Sequence, residues 1–422
     1  MIRVSDLLCG HEIGIEPRRY GQVGDNATGQ DGNDEVAAFG TRNGAGTLSI
    51  SNSFPRSRPS LFPAAPRPIV EWAVTRASNL RCTQCDEPAI PSAADGELTF
   101  EEGIALLDDL RAFDVPEVLF SGGEPLMRPD TPDLITYAQS IGLSAALSTN
   151  GLLIDDAMAD RLAGLGLMHA EISLEGAKPR HDAFCGIKGA FNETLAAIDL
   201  CRERGIDVVL RFTVNAKNSE DLDEIFQICF DHDVQRLCIY HLAPAGLDGK
   251  KQEADLSAFD TRRVVGRIFR LTAKFHEEDR PLEVVTIGNH ADAGYLVLQL
   301  ERIDRKWADR VEGKLIRSGG NRSGCNIASI DPIGNVHYDQ FSWRYNCGNV
   351  REQRFSRIWG EPFDERLQIL RDRWSYLPVR CRACRFVPVC NGNLRTRAEA
   401  ATGDWLGVDP NCYISGVERL ST

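Results

Sequence analysis

The chain has 422 residues, 42% of them hydrophobic, and carries a net charge of −13 from 48 Lys and Arg against 61 Asp and Glu. That length exceeds one ordinary domain, and that composition can bury more than one core. The acidic balance argues against nucleic acid and against an anionic membrane surface, since both are bound through Lys and Arg.

No run approaches the roughly 18 apolar residues that a membrane span needs. The opening MIRVSDLLCGHEIG lacks a charged segment leading into an apolar core, so no secretory signal is expected there, and a cytoplasmic location is. Thirteen cysteines in a reducing compartment point to metal ligation or buried thiols rather than to a disulfide framework.

Taken in chain order, residues 1–66 are rich in Gly, Asn, Ser, Arg and Pro and hold no lasting period, which predicts a disordered extension. A different pattern starts at residue 67. Strands are expected at 69–75, 117–122, 143–149, 169–176, 206–214 and 235–242. Helices are expected from Thr99, where Glu102 completes a capping box, and at 132–141, 156–165, 190–204 and 219–231. Six alternating β/α units imply a parallel sheet, and the number suits an incomplete (β/α)6 barrel. In such barrels chemistry sits at the C-terminal ends of the strands. The expected units are a disordered 1–66, a partial barrel over 67–245, a helical connector over 246–317 and a loop-rich domain over 318–422.

The strongest chemical signal is Cys381-x2-Cys384-x5-Cys390-x21-Cys412. Four thiolates in a Gly-, Pro- and Arg-rich region suit a fully ligated [4Fe–4S] cluster or a tetrahedral zinc, and spacing alone leaves both open. Unrelated cysteines are the bland alternative, and four at this spacing make it weak. Cys82 and Cys85 follow the first strand, at the mouth of the barrel. Ser78 precedes Cys82 at an x3 interval where a third ligand would complete the set. A pair of loop thiols is the rival reading.

Gly122, Gly123, Glu124 and Pro125 end the second strand, and paired glycines let backbone approach a ligand closely. Ser148 and Asn150 end the third strand, Ser173 and Glu175 the fourth, and Arg211 lies on the fifth. Polar groups at successive strand tips could hold a ribose and a carboxylate, although each alone is more often a satisfied strand end.

Together these residues resemble the radical S-adenosylmethionine (SAM) superfamily. The resemblance implies a [4Fe–4S] cluster held by Cys82 and Cys85, with Ser78 at the first-ligand position, and SAM bound along Gly122, Gly123, Glu124, Pro125, Ser148, Asn150, Ser173, Glu175 and Arg211. It also implies a 5′-deoxyadenosyl radical that abstracts hydrogen from the substrate. A narrower likeness, to the haem d1 biosynthesis radical SAM proteins, rests on several stretches: IYHLAPAG (239–246), GNHADAGYL (288–296), SGGNRSG (318–324), GNVHYDQF (334–341), CRACRFVPVCNGN (381–393) and DPNCY (409–413). It implies a SPASM-like C-terminal domain with a second, auxiliary [4Fe–4S] cluster on Cys381, Cys384, Cys390 and Cys412. It further implies a carboxylate-bearing tetrapyrrole of the iron didecarboxysiroheme type, a reaction that removes propionate side chains, and a reductant such as ferredoxin or flavodoxin. His241, Asn289, His290, Asp292 and Asn321 fall in these stretches and are candidates for the substrate pocket.

Three positions depart from the pattern. Ser78 replaces the first cluster cysteine, Gln84 stands where an aromatic residue or His is usual, and Cys185 stands where Arg is usual. A serine oxygen is harder, more basic and usually protonated, so it holds iron poorly beside thiolates. Slow SAM cleavage, restored by Ser78→Cys, is the expectation from sequence. Cys325 and Cys347 are expected to be buried thiols. His11, His169, His232 and His276 are read as structural or exposed. A peptide-modifying radical SAM maturase is one rival reading, disfavoured because residues 1–66 do not read as a leader-binding winged helix; Asp339 takes the place of one of its usual ligands. A non-catalytic tetrapyrrole-binding variant, supported by Ser78 alone, is the other.

Overall fold

The computed structural model describes residues 1–9, 66–83, 90–243, 254–362 and 364–420. Ten strands lie in one sheet among these residues: β1 (Ile2–Arg3), β2 (Ile69–Thr75), β3 (Glu117–Gly122), β4 (Ser144–Thr149), β5 (Ala170–Ser173), β6 (Val208–Val214), β7 (Arg236–His241), β8 (Glu283–Ile287), β9 (Ile327–Ile330) and β10 (Val336–His337). Their order is β1-β8-β7-β6-β5-β4-β3-β2-β9-β10. Strands β2 to β8 are parallel, and β9 adds in parallel to the outer edge of β2. The two edge strands, β1 and β10, pair antiparallel with β8 and β9.

All six expected strands form, and helices follow each of them. The helix Phe100–Ala112 begins as its sequence dictates: Thr99 accepts from the Glu102 amide while Glu102 accepts from the Thr99 amide. Period-2 alternation sorts the strand side chains between two faces. Val70, Trp72, Val74, Val118, Phe120, Leu147, Ile172, Leu210, Phe212, Leu237 and Ile239 pack into the main core with the helices. Val209, Cys238, Tyr240, Val285 and Ile287 form a separate small cluster on the opposite face. That concave face also carries Glu71, Glu171 and Arg211.

Two expectations are corrected. Residues 1–9, part of the segment expected to be disordered, form β1 and the helix Val4–Cys9; Ile2 and Val4 are buried. The reason is tertiary, because the strand partners of Ile2 and Arg3 are Thr286 and Val285 of β8. Residues 10–65 lie outside the described residues. The 246–317 segment, expected to be a helical connector, contributes β8 as a seventh parallel strand between the helices Ala258–Glu277 and Ala291–Glu301.

The C-terminal segment is a set of short helices and turns docked on the strand ends. Arg397 is its main tie. Its Nε and Nη2 donate to Asp409 at 2.9 and 3.0 Å, and the same guanidinium donates to the carbonyls of Leu242 (3.2 Å) and Gly288 (2.9 Å), just past β7 and β8.

Candidate functional site

The site begins where β2 ends. Glu97 Oε1 accepts from Thr75 Oγ1, the Arg76 amide and the Ala94 amide at 3.1, 2.9 and 2.8 Å, which fixes the exit of the chain from β2. The Ser78 amide donates to Ile90 O at 2.9 Å, closing the cysteine loop at its base. Ser78 Oγ accepts from the Leu80 amide at 3.2 Å, so the hydroxyl is engaged in its own turn. Cys85 and Gln84 lie outside the described residues.

Next to this loop stands the Gly-Gly-Glu-Pro end of β3. The amides of Gly123 and Glu124 donate to Thr75 O (2.9 Å) and Ala77 O (2.7 Å). A Cβ on Gly122 would lie 2.4 Å from Thr75 O, and one on Gly123 would lie 2.3 Å from Ala77 O. Glycine is required at both positions because backbone meets backbone. Glu124 is fully buried and accepts three bonds: from the Leu126 amide (3.1 Å), Thr149 Oγ1 (2.8 Å) and the Asn150 amide (2.8 Å). Burial pushes its carboxyl up to about 7 against the pull of those donors. Asn150 Nδ2 then donates to Asn79 Oδ1 at 2.8 Å, tying the β4 tip back to the cysteine loop.

Ser148, Ser173 and Arg211 are on one concave face, since Ser148 pairs with Glu171 and Ser173 pairs with Arg211 across adjacent strands. The Arg211 guanidinium lies over the Tyr240 ring at 4.5 Å, and Tyr240 donates to Glu171 at 3.2 Å. Burial works against the charge of Arg211, but Tyr240, Glu171, Glu71 and Glu175 offset it and hold the group protonated. Burial raises Glu71, Glu171 and Glu175, with Arg211 opposing in each case. Glu175 accepts from the Thr213 amide at 3.2 Å.

Cys82 does not stand alone. It packs against the small cluster that holds Leu80, Cys185 and Ala190, and the neighbouring Cys185 together with burial raises its thiol well above the ordinary range. The Thr83 amide donates to Phe184 O at 3.0 Å, so backbone also joins the loop to the helix Lys178–Cys185. Behind Cys185, His181 Nε2 is 3.5 Å from its Sγ and 3.3 Å from Thr194 Oγ1. The Glu175 amide donates to His181 Nδ1 at 3.0 Å, so the neutral ring carries its hydrogen on Nε2.

Cys381 and Cys384 flank the end of the short helix Val379–Arg382, Cys390 ends the helix Val387–Cys390, and Cys412 follows in a turn. Burial raises the first three thiols, and Cys412 raises each of them further, which places the four in one electrostatic neighbourhood. No three His, Cys, Asp or Glu side chains are already arranged around a common metal position among the described residues. The donor set nevertheless fits a thiophilic group, because four thiols share one region. Cys325 is buried, and Cys347 packs against the core.

Of the candidate substrate residues, four gather and one does not. His241 Nε2 lies 2.8 Å from Asp292 Oδ2, and Tyr413 donates to Asp292 Oδ1 at 2.6 Å. Asn393 bridges Asn289 (2.7 Å) and the His290 amide (2.7 Å). All four are buried in the seam between β7, β8 and the C-terminal segment. Asn321 belongs to another network, accepting from Arg373 at 2.9 Å. Asp339 is buried and accepts from Ser323 and from the Phe341 amide. Sequence reasoning missed Glu97 and Asn79, each a single polar residue with a partner distant in the chain.

Comparison with known proteins accords with this geometry. The profile of the Radical SAM superfamily matches residues 72–229. The chain is 42% identical to Fe-coproporphyrin III synthase of Methanosarcina barkeri, over 83% of this chain and 89% of that protein. It is 36% identical to pre-heme d1 synthase of Dinoroseobacter shibae, over 85% of this chain and 89% of that protein. The fold resembles that of Streptococcus suis SuiB bound to S-adenosylmethionine, with a TM-score of 0.64 and 15% identity over 82% of this chain and 77% of that one.

Proposed function

Since the chain belongs to the radical SAM superfamily, alongside relatives named for haem-related syntheses, and is an enzyme of radical chemistry, we propose that it alters carboxylate-bearing side chains of an iron tetrapyrrole of the didecarboxysiroheme type. Identity of 36–42% over more than four fifths of the chain, to two proteins whose names both specify a modified iron tetrapyrrole, is the observation that carries this reading. Propionate removal on the way to haem d1 is the specific reaction. Formation of a coproporphyrin is the second reading, favoured by the 42% relative.

A [4Fe–4S] cluster and SAM, when bound, supply a 5′-deoxyadenosyl radical. The protein's own residues do the rest. Cys82 and its neighbours would hold the cluster at the mouth of the sheet. Gly122 and Gly123 bring backbone of β3 against the cysteine loop, where carbonyls can receive an amino group. Glu124 and Asn150 lock that surface in place. Ser148, Ser173 and Arg211 face the same concavity and suit ribose and carboxylate. His241, Asn289, His290 and Asp292 position the C-terminal segment as a cover that excludes water, a role that replaces direct substrate contact for most of their hydrogen bonds.

We assign a SPASM-like auxiliary [4Fe–4S] cluster to Cys381, Cys384, Cys390 and Cys412, and electrons to a ferredoxin- or flavodoxin-type donor. No helix among the described residues is long and apolar enough to cross a membrane; a cytoplasmic location is part of the same proposal.

The test is anaerobic incubation with iron didecarboxysiroheme, SAM and dithionite, followed by mass analysis of the macrocycle. Loss of propionate groups supports the haem d1 reading, and a coproporphyrin supports the second. An unchanged macrocycle and no Soret shift on titration, alongside modification of a peptide, would overturn both.

A further inference from the structure

The first cluster position is a serine, and its hydroxyl is turned into its own loop by the bond from the Leu80 amide. Within the described residues, the thiol that stands beside Cys82 comes from elsewhere in the chain. Cys185 ends the helix after β5, is buried, and packs with Leu80 and Ala190, against which Cys82 and Phe184 also rest. We propose that Cys185 is a cluster ligand of this protein, a thiolate delivered from the helix Lys178–Cys185 to the place that Ser78 cannot fill, next to Cys82. The proposal rests on the radical SAM reading above.

Two observations converge on it. Cys82 packs against the cluster that contains Cys185 although the two are over a hundred residues apart, and the Thr83–Phe184 backbone bond holds their segments together. A donor stands beside Cys185: His181 is fixed as the Nε2–H tautomer by the Glu175 amide, and that nitrogen is 3.5 Å from the sulfur and 3.3 Å from Thr194 Oγ1, which shares it. N–H donation to a ligating sulfur stabilises its negative charge and tunes the potential of a cluster. The sequence departures then become one event: a thiolate lost at Ser78 and a thiol gained at Cys185.

The experiment compares four full-length proteins after anaerobic reconstitution: wild type, Cys185→Ala, Ser78→Cys, and Ser78→Cys with Cys185→Ala. Iron and sulfide per chain are measured with the EPR spectrum of the reduced protein, with and without SAM. Circular dichroism and a Cys201→Ala control, which empties an equally buried thiol site, separate folding from ligation; Cys185→Ser repeats the test with almost no change in volume. Wild type should carry a SAM-sensitive signal. Cys185→Ala should lose it with one cluster's worth of iron, and the double variant should regain both. Retention of iron and signal in Cys185→Ala overturns the proposal. So does a wild type without the signal when Ser78→Cys has it. If Ser78→Cys also lacks any SAM-sensitive signal, the radical SAM reading itself falls.

Discussion

Glu124 and Asn150 join two strand tips through a single bond from an amide to a buried carboxylate, 2.8 Å long. The charge state of Glu124 therefore enters the stability of the site. Its folded pKa is raised from 4.5 to about 7, so the folded protein holds a proton that the unfolded chain has already released. Stability contributed by this group is full below pH 4.5 and falls as pH rises to about 7, by up to roughly 3 kcal/mol. Glu124→Gln should abolish that part of the fall. Melting temperatures of the two proteins across this range test it, and parallel curves would refute the assignment. Glu71, Glu171 and Glu175 shift in the same direction, so only the difference between the two proteins is diagnostic.

SAM cleavage tests the ligand set by a separate readout. From sequence, Ser78 leads to slow cleavage restored by Ser78→Cys. The contact between Cys82 and Cys185 reverses that expectation. Wild type and Ser78→Cys should form 5′-deoxyadenosine under dithionite at comparable rates, and Cys185→Ala should form almost none. A large gain in Ser78→Cys over wild type would show that serine is the defect.

Metal and folding should be coupled in the C-terminal segment. With four thiols in a loop-rich region, ligation supplies order that short helices lack. Cys384→Ala should lower solubility and remove one cluster's worth of iron, whereas Cys325→Ala should leave iron unchanged. Equal iron content in Cys384→Ala and wild type would sink the auxiliary cluster.

Two arginine–carboxylate pairs should differ in worth. Arg397 and Asp409 are buried, at 3% and 1% side-chain exposure, and removal of Arg397 leaves a carboxylate and two carbonyls without it. Arg397→Ala should cost about 3–5 kcal/mol. Arg351 and Glu102 form an exposed pair with equally short contacts, so Arg351→Ala should cost about 1 kcal/mol or less in solvent screening. Urea midpoints of the two variants give the comparison, and similar losses would contradict it.

The strands β2 to β7 were legible because each is an apolar or β-branched run closed by Gly, Asn or a charged turn. The Thr99–Glu102 box was legible because it is local. Strand β8, Glu283–Ile287, was not: five residues of EVVTI sit between two helical segments, and only pairing with β7 makes them a strand. Strand β1 is two residues whose partner lies beyond residue 280. In the site, Cys82 was marked by spacing, but its neighbour Cys185 was marked only as an unusual residue, because nearness across a fold leaves no spacing to read. That Ser148, Ser173 and Arg211 share a face follows from strand alternation; that Glu124 spends its oxygens on Thr149, Leu126 and Asn150 could not be read from their order.

The pairing of β2 with β9 sets a timetable for the growing chain. Ile69–Trp72 must wait for Ile327–Ile330 before their outer edge is covered. Until then a strand rich in β-branched and aromatic residues offers unpaired amides and carbonyls to any passing partner. Closure across so long a separation is slow, and exposure of such edges favours association over refolding. A chain stopped before residue 327 should therefore collect in aggregates even though all seven strands from β2 to β8 are present, and recovery from urea should decline steeply with protein concentration.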